Sequence, residues 1–227
     1  MSEQTPLSQL DRDALDAFRK EQQTAYDALV ASGLKLDLTR GKPSAEQLDL
    51  SDALLSLPTT TSSPDGTDTR NYGGLLGLPG LRAIFAELLG LELDQVAAQG
   101  NSSLTLMKDT LTYLWLRGGV DSERPWGAEE KVRFVCPVPG YDRHFTLLDW
   151  FGIETVTVPM TDSGPDVDAI AALVKDDPTI KGMWLVPTYA NPTGQVTDQD
   201  VAERLASMPT AAPDFKIFWD NAYAWHH

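Results

Sequence analysis

From residue 93 onward, short apolar runs alternate with stretches whose apolar residues recur at helical spacing. The apolar runs are 96–98, 132–136, 153–158, 183–186 and 215–219. The helical stretches between them are 103–117, 142–151, 167–175 and 198–208. Strands that alternate with crossover helices are typical of a parallel sheet covered by helices. The sequence therefore predicts an α/β fold with a mostly parallel sheet and flanking helices.

The N-terminal part of the chain is organised differently. Apolar residues at helical spacing predict a helix over 7–32, and Gly33 supplies its stop. The polar stretch 58–74 is rich in Thr, Ser, Pro, Asp and Gly, which predicts a loop. We expect two parts: residues 1–58, with the N-terminal helix and part of a small domain, and residues 59–227, a large domain.

The charge balance and hydropathy limit the classes of partner. The chain has 18 Lys and Arg against 33 Asp and Glu, a net charge of −15. Without a basic cluster to neutralise phosphates, we expect no nucleic-acid partner and no binding to an anionic membrane surface. No apolar stretch is long enough to predict a transmembrane helix. The polar, acidic N-terminus resembles neither a secretory signal nor a transit peptide, which predicts a cytoplasmic protein.

Cysteine and histidine usage points away from a metal site. The single cysteine, Cys136, excludes an internal disulfide and a cysteine-based zinc site. Its position in an apolar run predicts a buried thiol. His144, His226 and His227 lack the spacing of metal ligands, so we expect no metal.

Polar residues follow four of the five predicted strands. They lie in segments 99–103, 137–142, 187–194 and 220–223. Because ligands in open parallel sheets bind beyond the carboxyl ends of the strands, we expect these segments to converge on one rim.

Each segment also has a purely structural interpretation. Asn101 and Ser102 could bind a phosphate at a helix N-terminus, or they could only cap that helix. Tyr141 could stack on a flat ligand or be an ordinary loop tyrosine. Asp220 could be a helix N-cap or the partner of a buried cation.

Taken in order, these motifs resemble those of the fold-type I enzymes that use pyridoxal 5'-phosphate (PLP). The resemblance is to class I aminotransferases, in particular the bacterial aspartate aminotransferase-like subgroup. The motifs are TRGKPS (39–44), NYGGLLGLPGLR (71–82), GNSSL (100–104), PVPGYDRHF (137–145), YANPTG (189–194) and DNAYAWHH (220–227). The resemblance implies the PLP-transferase fold and the cofactor PLP. It also implies amino-group transfer between an α-amino acid, expected to be aspartate, and a 2-oxo acid, expected to be 2-oxoglutarate.

The resemblance assigns five residues to the phosphate, the ring face and the ring nitrogen of the cofactor. Asn101, Ser102 and Ser103 would hold its phosphate at a helix N-terminus. Tyr141 would stack on its ring. Asp220 would pair with its pyridine nitrogen and favour the protonated ring by direct charge pairing.

Further roles follow from the same resemblance. Asn191 and Tyr223 would donate hydrogen bonds to the phenolic oxygen of the cofactor. Asn191 and the backbone of Gly41 would contact the carboxylate of the substrate. Tyr72 would reach the cofactor phosphate of a partner subunit, which implies a homodimer.

The lysine that binds PLP covalently in this family lies downstream of the D-x-A-Y motif. The lysines of this chain are 20, 35, 42, 108, 131, 175, 181 and 216, and none has that context. We therefore expect the chain to be the N-terminal portion of a longer enzyme that carries the catalytic lysine further on.

Two alternatives stay open beside this interpretation. One is a non-catalytic PLP-binding or interaction module. The other, a nucleotide-binding Rossmann-like protein, is disfavoured because no G-x-G-x-x-G motif follows the first strand.

Arg40 could bind a side-chain carboxylate of the substrate or be a surface loop arginine. Pro139 and Pro192 are candidates for cis peptide bonds.

Overall fold

The computed structural model describes residues 6–35 and 42–225. The chain divides into two compact units, Met1–Tyr72 and Gly73–His227. The division falls within the polar stretch 58–74, and the assignment of residues 1–58 and 59–227 to two domains stays a prediction. The predicted or considered residues that lie outside the described part are Arg40, Gly41, His226 and His227.

The described part of the first unit contains one long helix and three short helical elements. They are a 3-10 turn (Leu7–Gln9), α1 (Arg12–Ala31), α2 (Ala45–Asp49) and a second 3-10 turn (Asp52–Leu55). The helix predicted over 7–32 is confirmed for most of its length. It is divided because the side chain of Asp11 accepts a hydrogen bond from the Ala14 backbone N–H (2.8 Å) and so caps α1 at its start.

The second unit begins with helices that precede the sheet. They are α3 (Pro79–Leu89), a 3-10 turn (Leu93–Gln95), α4 (Ser103–Arg117) and a 3-10 turn (Trp126–Ala128). The strand predicted at 96–98 is wrong, because this segment forms no strand in the part of the chain that the structure describes. Ala98 N donates to Leu76 O (2.8 Å), but a strand needs a neighbour that continues the ladder.

The rest of the unit alternates strands and helices as predicted. In order they are β1 (Arg133–Val138), α5 (Asp142–Phe151), β2 (Glu154–Thr161), β3 (Gly164–Pro165), α6 (Val167–Val174), β4 (Ile180–Leu185), α7 (Gln199–Ser207) and β5 (Lys216–Trp219). The sheet order is β3-β2-β1-β4-β5, and only the short β3 pairs antiparallel. The predicted mostly parallel sheet with flanking helices is confirmed.

Alternate residues of the central strands face two apolar cores, one on each side of the sheet. Val135 of β1 and Met183 of β4 pack with residues of α6 and α7. Phe134 of β1 and Trp184 of β4 face the other way, and they pack with Trp126 and with residues of α4 and α5. The strands are therefore buried on both faces, as expected for a sheet with helices on each side.

The strands β1 and β4 are neighbours, yet the chain leaves them in opposite directions. From β1 it passes through α5 to β2, and from β4 it passes through α7 to β5 on the other side. The carboxyl ends of two such strands open a crevice, which is the usual ligand position in open α/β sheets. The topology therefore points to a site between the ends of β1 and β4.

Candidate functional site

A small cleft lies at this crevice. Its walls come from the ends of β1 and β4, the start of α5 and the loop after β4. The residues that line it include Cys136, Pro139, Tyr141, Met160, Trp184 and Asn191. A mostly apolar wall with a few polar groups is suited to a flat ligand that is oriented by specific hydrogen bonds.

Tyr141 lies at the N-terminal end of α5 and is half-buried in the cleft. Its ring meets the imidazole of His144 edge-on, with centroids 5.2 Å apart and an interplanar angle of 89°. Gly140 makes the preceding turn possible, because a Cβ there would lie 2.6 Å from the carbonyl oxygen of Pro137. The peptide bond before Pro139 is cis, which confirms the prediction for this proline.

Asp220 follows β5, and its backbone N–H donates to Leu185 O at the end of β4 (2.8 Å). Its Oδ2 lies 3.1 Å from Nε2 of His144. The two side chains are 9% and 4% exposed, so the pair is almost completely shielded from water. An ionised carboxylate only accepts hydrogen bonds, so His144 carries a proton on Nε2 when Asp220 is ionised. The pair fixes the direction of a carboxylate at the carboxyl end of the sheet.

His144 is a residue that the sequence analysis missed, because it considered histidines only as metal ligands. The side chain is buried on α5, and 76 positions separate it from Asp220. The available signal was its position three residues after Tyr141, a spacing that places two side chains on one face of a helix.

The loop after β4 carries Asn191, which is exposed and lines the cleft. The Ala190 backbone N–H donates to Gln195 O (2.8 Å), and Gln195 Nε2 donates to Thr161 O at the end of β2 (2.6 Å). These bonds tie the loop to the sheet. The Asn191–Pro192 peptide bond is cis, which confirms the second predicted cis proline.

The segment before α4 lies outside the lining of the cleft among the described residues. Ser102 is the N-cap of α4, and its Oγ accepts a hydrogen bond from the Thr105 backbone N–H (3.4 Å). Asn101 and Ser103 are exposed beside it. The helix N-terminus therefore presents backbone N–H groups and hydroxyls to solvent, a combination that suits an anion.

Among the described residues of the second unit, Tyr223 does not line the cleft. Tyr223 is half-buried in the turn that follows Asp220. Tyr72 belongs to the first unit and is fully exposed (100%). Gly41 lies outside the described residues. The roles assigned to these residues stay predictions.

Cys136 lines the cleft, and its predicted burial is confirmed. Burial raises the pKa of its thiol to about 12. Since the thiolate is the reactive form, this cysteine is inert at neutral pH.

Within residues 6–35 and 42–225, no group of three or more His, Cys, Asp or Glu side chains is arranged to hold a metal ion. Within the same ranges, no helix is long and apolar enough to cross a membrane.

Residues 10–227 match the family model described as aspartate amino-transferase. An aspartate aminotransferase from Corynebacterium glutamicum is 50% identical over 222 residues, which are 97% of this chain and 51% of the relative. A protein of Mycolicibacterium smegmatis that carries an aminotransferase name is 58% identical over 221 residues, covering 96% of this chain and 52% of the relative.

The fold gives the same result. A solved structure of an aspartate transaminase from Corynebacterium glutamicum superposes with a TM-score of 0.86 at 49% identity. The match covers 96% of this chain and 51% of that chain, and it confirms the predicted fold class. The chain thus spans about half the length of the curated relatives it matches. With the family model matching almost all of its residues, the chain belongs to the aspartate aminotransferase family.

Proposed function

We propose that this protein is a PLP-dependent aminotransferase that moves an amino group between aspartate and 2-oxoglutarate in a reducing cytoplasm. Family membership supports the reaction class, and the name of the Corynebacterium glutamicum relative supports the choice of aspartate. The observation that carries the proposal is the buried His144–Asp220 pair at the switch point of the sheet, beside a cleft that Tyr141 lines.

The residues present fit a flat, phosphorylated, nitrogen-containing ring. Asp220 offers a shielded carboxylate, which favours a protonated ring nitrogen as its partner. Tyr141 offers an aromatic face at the cleft. The start of α4 offers the N–H groups and hydroxyls that suit a phosphate. When bound, PLP supplies the electron sink for removal of the α-proton of the amino acid.

The residues of this chain bind and orient the cofactor. In the proposal, Asp220 keeps the ring nitrogen protonated, and His144 keeps Asp220 directed toward it. Tyr141 holds the ring flat, while Asn101, Ser102 and Ser103 bind the phosphate.

Other groups contact the phenolic oxygen, the substrate and the partner subunit. Asn191 and Tyr223 donate to the phenolic oxygen of the ring. Asn191 and the Gly41 backbone bind the α-carboxylate of the amino acid. Tyr72 reaches the cofactor phosphate of a second subunit in a homodimer.

A non-catalytic PLP-binding module is the second candidate. It is favoured by one observation: among the described residues, no lysine lines the cleft. Lys181 is paired with Asp214 and Lys216 with Asp121. The two candidates differ in whether amino-group transfer follows cofactor binding.

The deciding experiment is an amino-group transfer assay with the full-length protein, PLP, L-aspartate and 2-oxoglutarate. We expect glutamate and oxaloacetate in equal amounts, and strong loss of product in Asp220→Ala. Asp149→Ala removes an exposed carboxylate from α5 and is the matched control, with product formation unchanged. PLP binding without product from a panel of amino acids would contradict the proposed enzyme and favour the non-catalytic module.

A further inference from the structure

Trp184 lies in β4 on the same face of the sheet as Phe134 and is 2% exposed. Its indole lies parallel to the imidazole of His144, with centroids 4.5 Å apart and an interplanar angle of 11°. It therefore forms a flat surface under the histidine that contacts Asp220.

The position of the Trp184 ring is set by packing. The ring of Phe218, its pairing partner in β5, lies 4.4 Å away, and that of Phe134 lies 5.9 Å away. The indole Nε1 is buried and has no hydrogen-bond partner among the described residues. A buried donor without a partner costs stability, so an apolar ring would fill this volume at lower cost. The geometry accounts for an aromatic face at this position but not for the indole N–H.

Two aromatic rings and one carboxylate contact the imidazole of His144. The Trp184 face supports its plane, the Tyr141 ring meets it edge-on, and Asp220 lies 3.1 Å from its Nε2. Rotation of the imidazole about its side-chain bond would break the parallel stack and move Nε2 away from the carboxylate. The aromatic contacts and the hydrogen bond thus favour the same rotamer.

We propose that Trp184 is a positioning residue, whose indole face holds the His144 imidazole in the plane that directs Nε2 to Asp220. Through His144, Trp184 fixes the carboxylate that would meet the ring nitrogen of the cofactor, and this last step rests on the proposed function. The Trp184 side chain forms no hydrogen bond with any residue that the structure describes, and it carries no charge. Its contribution is the orientation of the residue that touches Asp220.

The test uses two substitutions of Trp184 and one control. Trp184→Phe keeps an aromatic face and loses no hydrogen bond. Trp184→Met fills part of the volume without a flat face. Phe151→Leu trims a half-buried ring on the same helix as His144, where it packs against Trp115. The control therefore weakens α5 packing without touching the stack.

The first readout is the Nε2–H proton resonance of His144, assigned by comparison with His144→Asn. In the wild-type protein we expect a downfield resonance protected from solvent exchange, as a buried imidazole–carboxylate hydrogen bond requires. The resonance should persist in Trp184→Phe and Phe151→Leu and be lost by exchange in Trp184→Met. If Trp184→Met retains the protected resonance, Trp184 only fills the core and the proposal is wrong.

The second readout is PLP affinity. Trp184→Met should weaken it by roughly 2- to 10-fold, the equivalent of one aromatic pair contact, whereas Trp184→Phe should stay within about 2-fold. Equal weakening in Trp184→Met and Phe151→Leu would contradict the inference. The wild-type protein could bind no PLP while the His144 resonance is still lost in Trp184→Met. That result would overturn the proposed function and leave the positioning role standing.

If Trp184→Met does not fold, the wild-type protein still tests the stack. The carbon-bound imidazole protons of His144 should then be shifted upfield by the indole ring current. The same shift should be reduced in Trp184→Phe, because a phenyl ring has a weaker ring current. Imidazole protons at ordinary shifts would show that the stack does not form, and the positioning role would be excluded.

Discussion

Tyr141 combines an aromatic face at the cleft with a backbone position at the start of α5. Tyr141→Ala should weaken PLP binding by about 1–3 kcal/mol, since both ring stacking and buried apolar area are lost. Tyr141→Phe keeps the ring and should bind nearly as well. Fluorescence titration with PLP measures the affinity of both variants. Tyr113→Ala, which removes an exposed tyrosine of α4, is the control. Unchanged affinity in Tyr141→Ala would make it an ordinary loop tyrosine.

Asp214 lies next to β5, at the end opposite to Asp220, and is 1% exposed. It accepts hydrogen bonds from Ser122 Oγ (2.7 Å), Trp126 Nε1 (2.8 Å) and Lys181 Nζ (2.9 Å). Burial raises the pKa of this carboxyl. The three donors and the charge of Lys181 lower the pKa by more than burial raises it, so the pKa lies below the usual value. The carboxylate stabilises the fold and takes no part in the proposed site.

Asp214→Ala should lower the free energy of unfolding by about 1–3 kcal/mol, because it leaves the Ser122 and Trp126 donors without their acceptor. Lys181 Nζ keeps Glu129 Oε1, 3.4 Å away, as its ion-pair partner. Asp121→Ala breaks the more exposed ion pair with Lys216 and should cost less than about 1 kcal/mol. Urea unfolding at neutral pH compares the two. A similar small loss in both variants would contradict the role given to Asp214.

The pH dependence of this contribution follows from the lowered pKa. Because the folded pKa of Asp214 lies below its unfolded value, its stabilisation is complete above an unfolded pKa of about 3.9. It is lost as the pH falls through the folded pKa. The stability difference between wild type and Asp214→Ala should therefore shrink on acidification and stay constant from pH 6 to 8.

At the scale of the elements, helices were predicted more accurately than strands. The bounds of α4 and α5 agree with the sequence pattern, because a helix and its caps are specified by neighbouring residues. The strand predicted at 96–98 is wrong, and β3 is not predicted. A strand depends on the neighbouring strand with which it pairs, and the local sequence pattern does not contain that neighbour. The same limit applies to the candidate site. The sequence pattern points to Asp220 at its strand end, but it does not point to His144 or Trp184, which lie on other elements.

The packing between β1 and β4 depends on Gly182. A Cβ there would lie 2.5 Å from Cζ of Phe134 and 2.7 Å from the carbonyl oxygen of Lys216. Gly182→Ala should therefore destabilise the protein by about 1–3 kcal/mol through overpacking. Gly80→Ala, on α3 with no atom within 4 Å, should be neutral or slightly stabilising. Thermal unfolding distinguishes them, and an unchanged midpoint for Gly182→Ala would contradict this account of the strand contact.

At the scale of the whole molecule, connectivity explains where the candidate site lies. The chain leaves β1 and β4 in opposite directions, and the crevice at their carboxyl ends receives side chains from three separate segments. No single motif specifies this meeting point. It follows from the strand order, which the alternation of strands and helices predicts only as a class of sheet.

The proposed homodimer is tested on the intact protein. Tyr72→Phe should leave a dimer in sedimentation velocity and weaken PLP binding by about 0.5–1.5 kcal/mol, the loss of one hydrogen bond. Tyr26→Phe changes another exposed tyrosine of the first unit and should alter neither. A monomeric wild-type protein would contradict the role proposed for Tyr72.

In the proposed function, Asp220 is held by His144 and binds the ring nitrogen of a PLP-type cofactor. Calorimetric titration with pyridoxamine 5'-phosphate isolates this contact, because this amine does not condense with lysines. We predict saturable binding to the wild-type protein and a loss of about 10- to 150-fold in Asp220→Ala, as expected for a hydrogen bond to a charged group. Asp149→Ala should bind like the wild type. Equal affinity in Asp220→Ala and wild type would contradict the account.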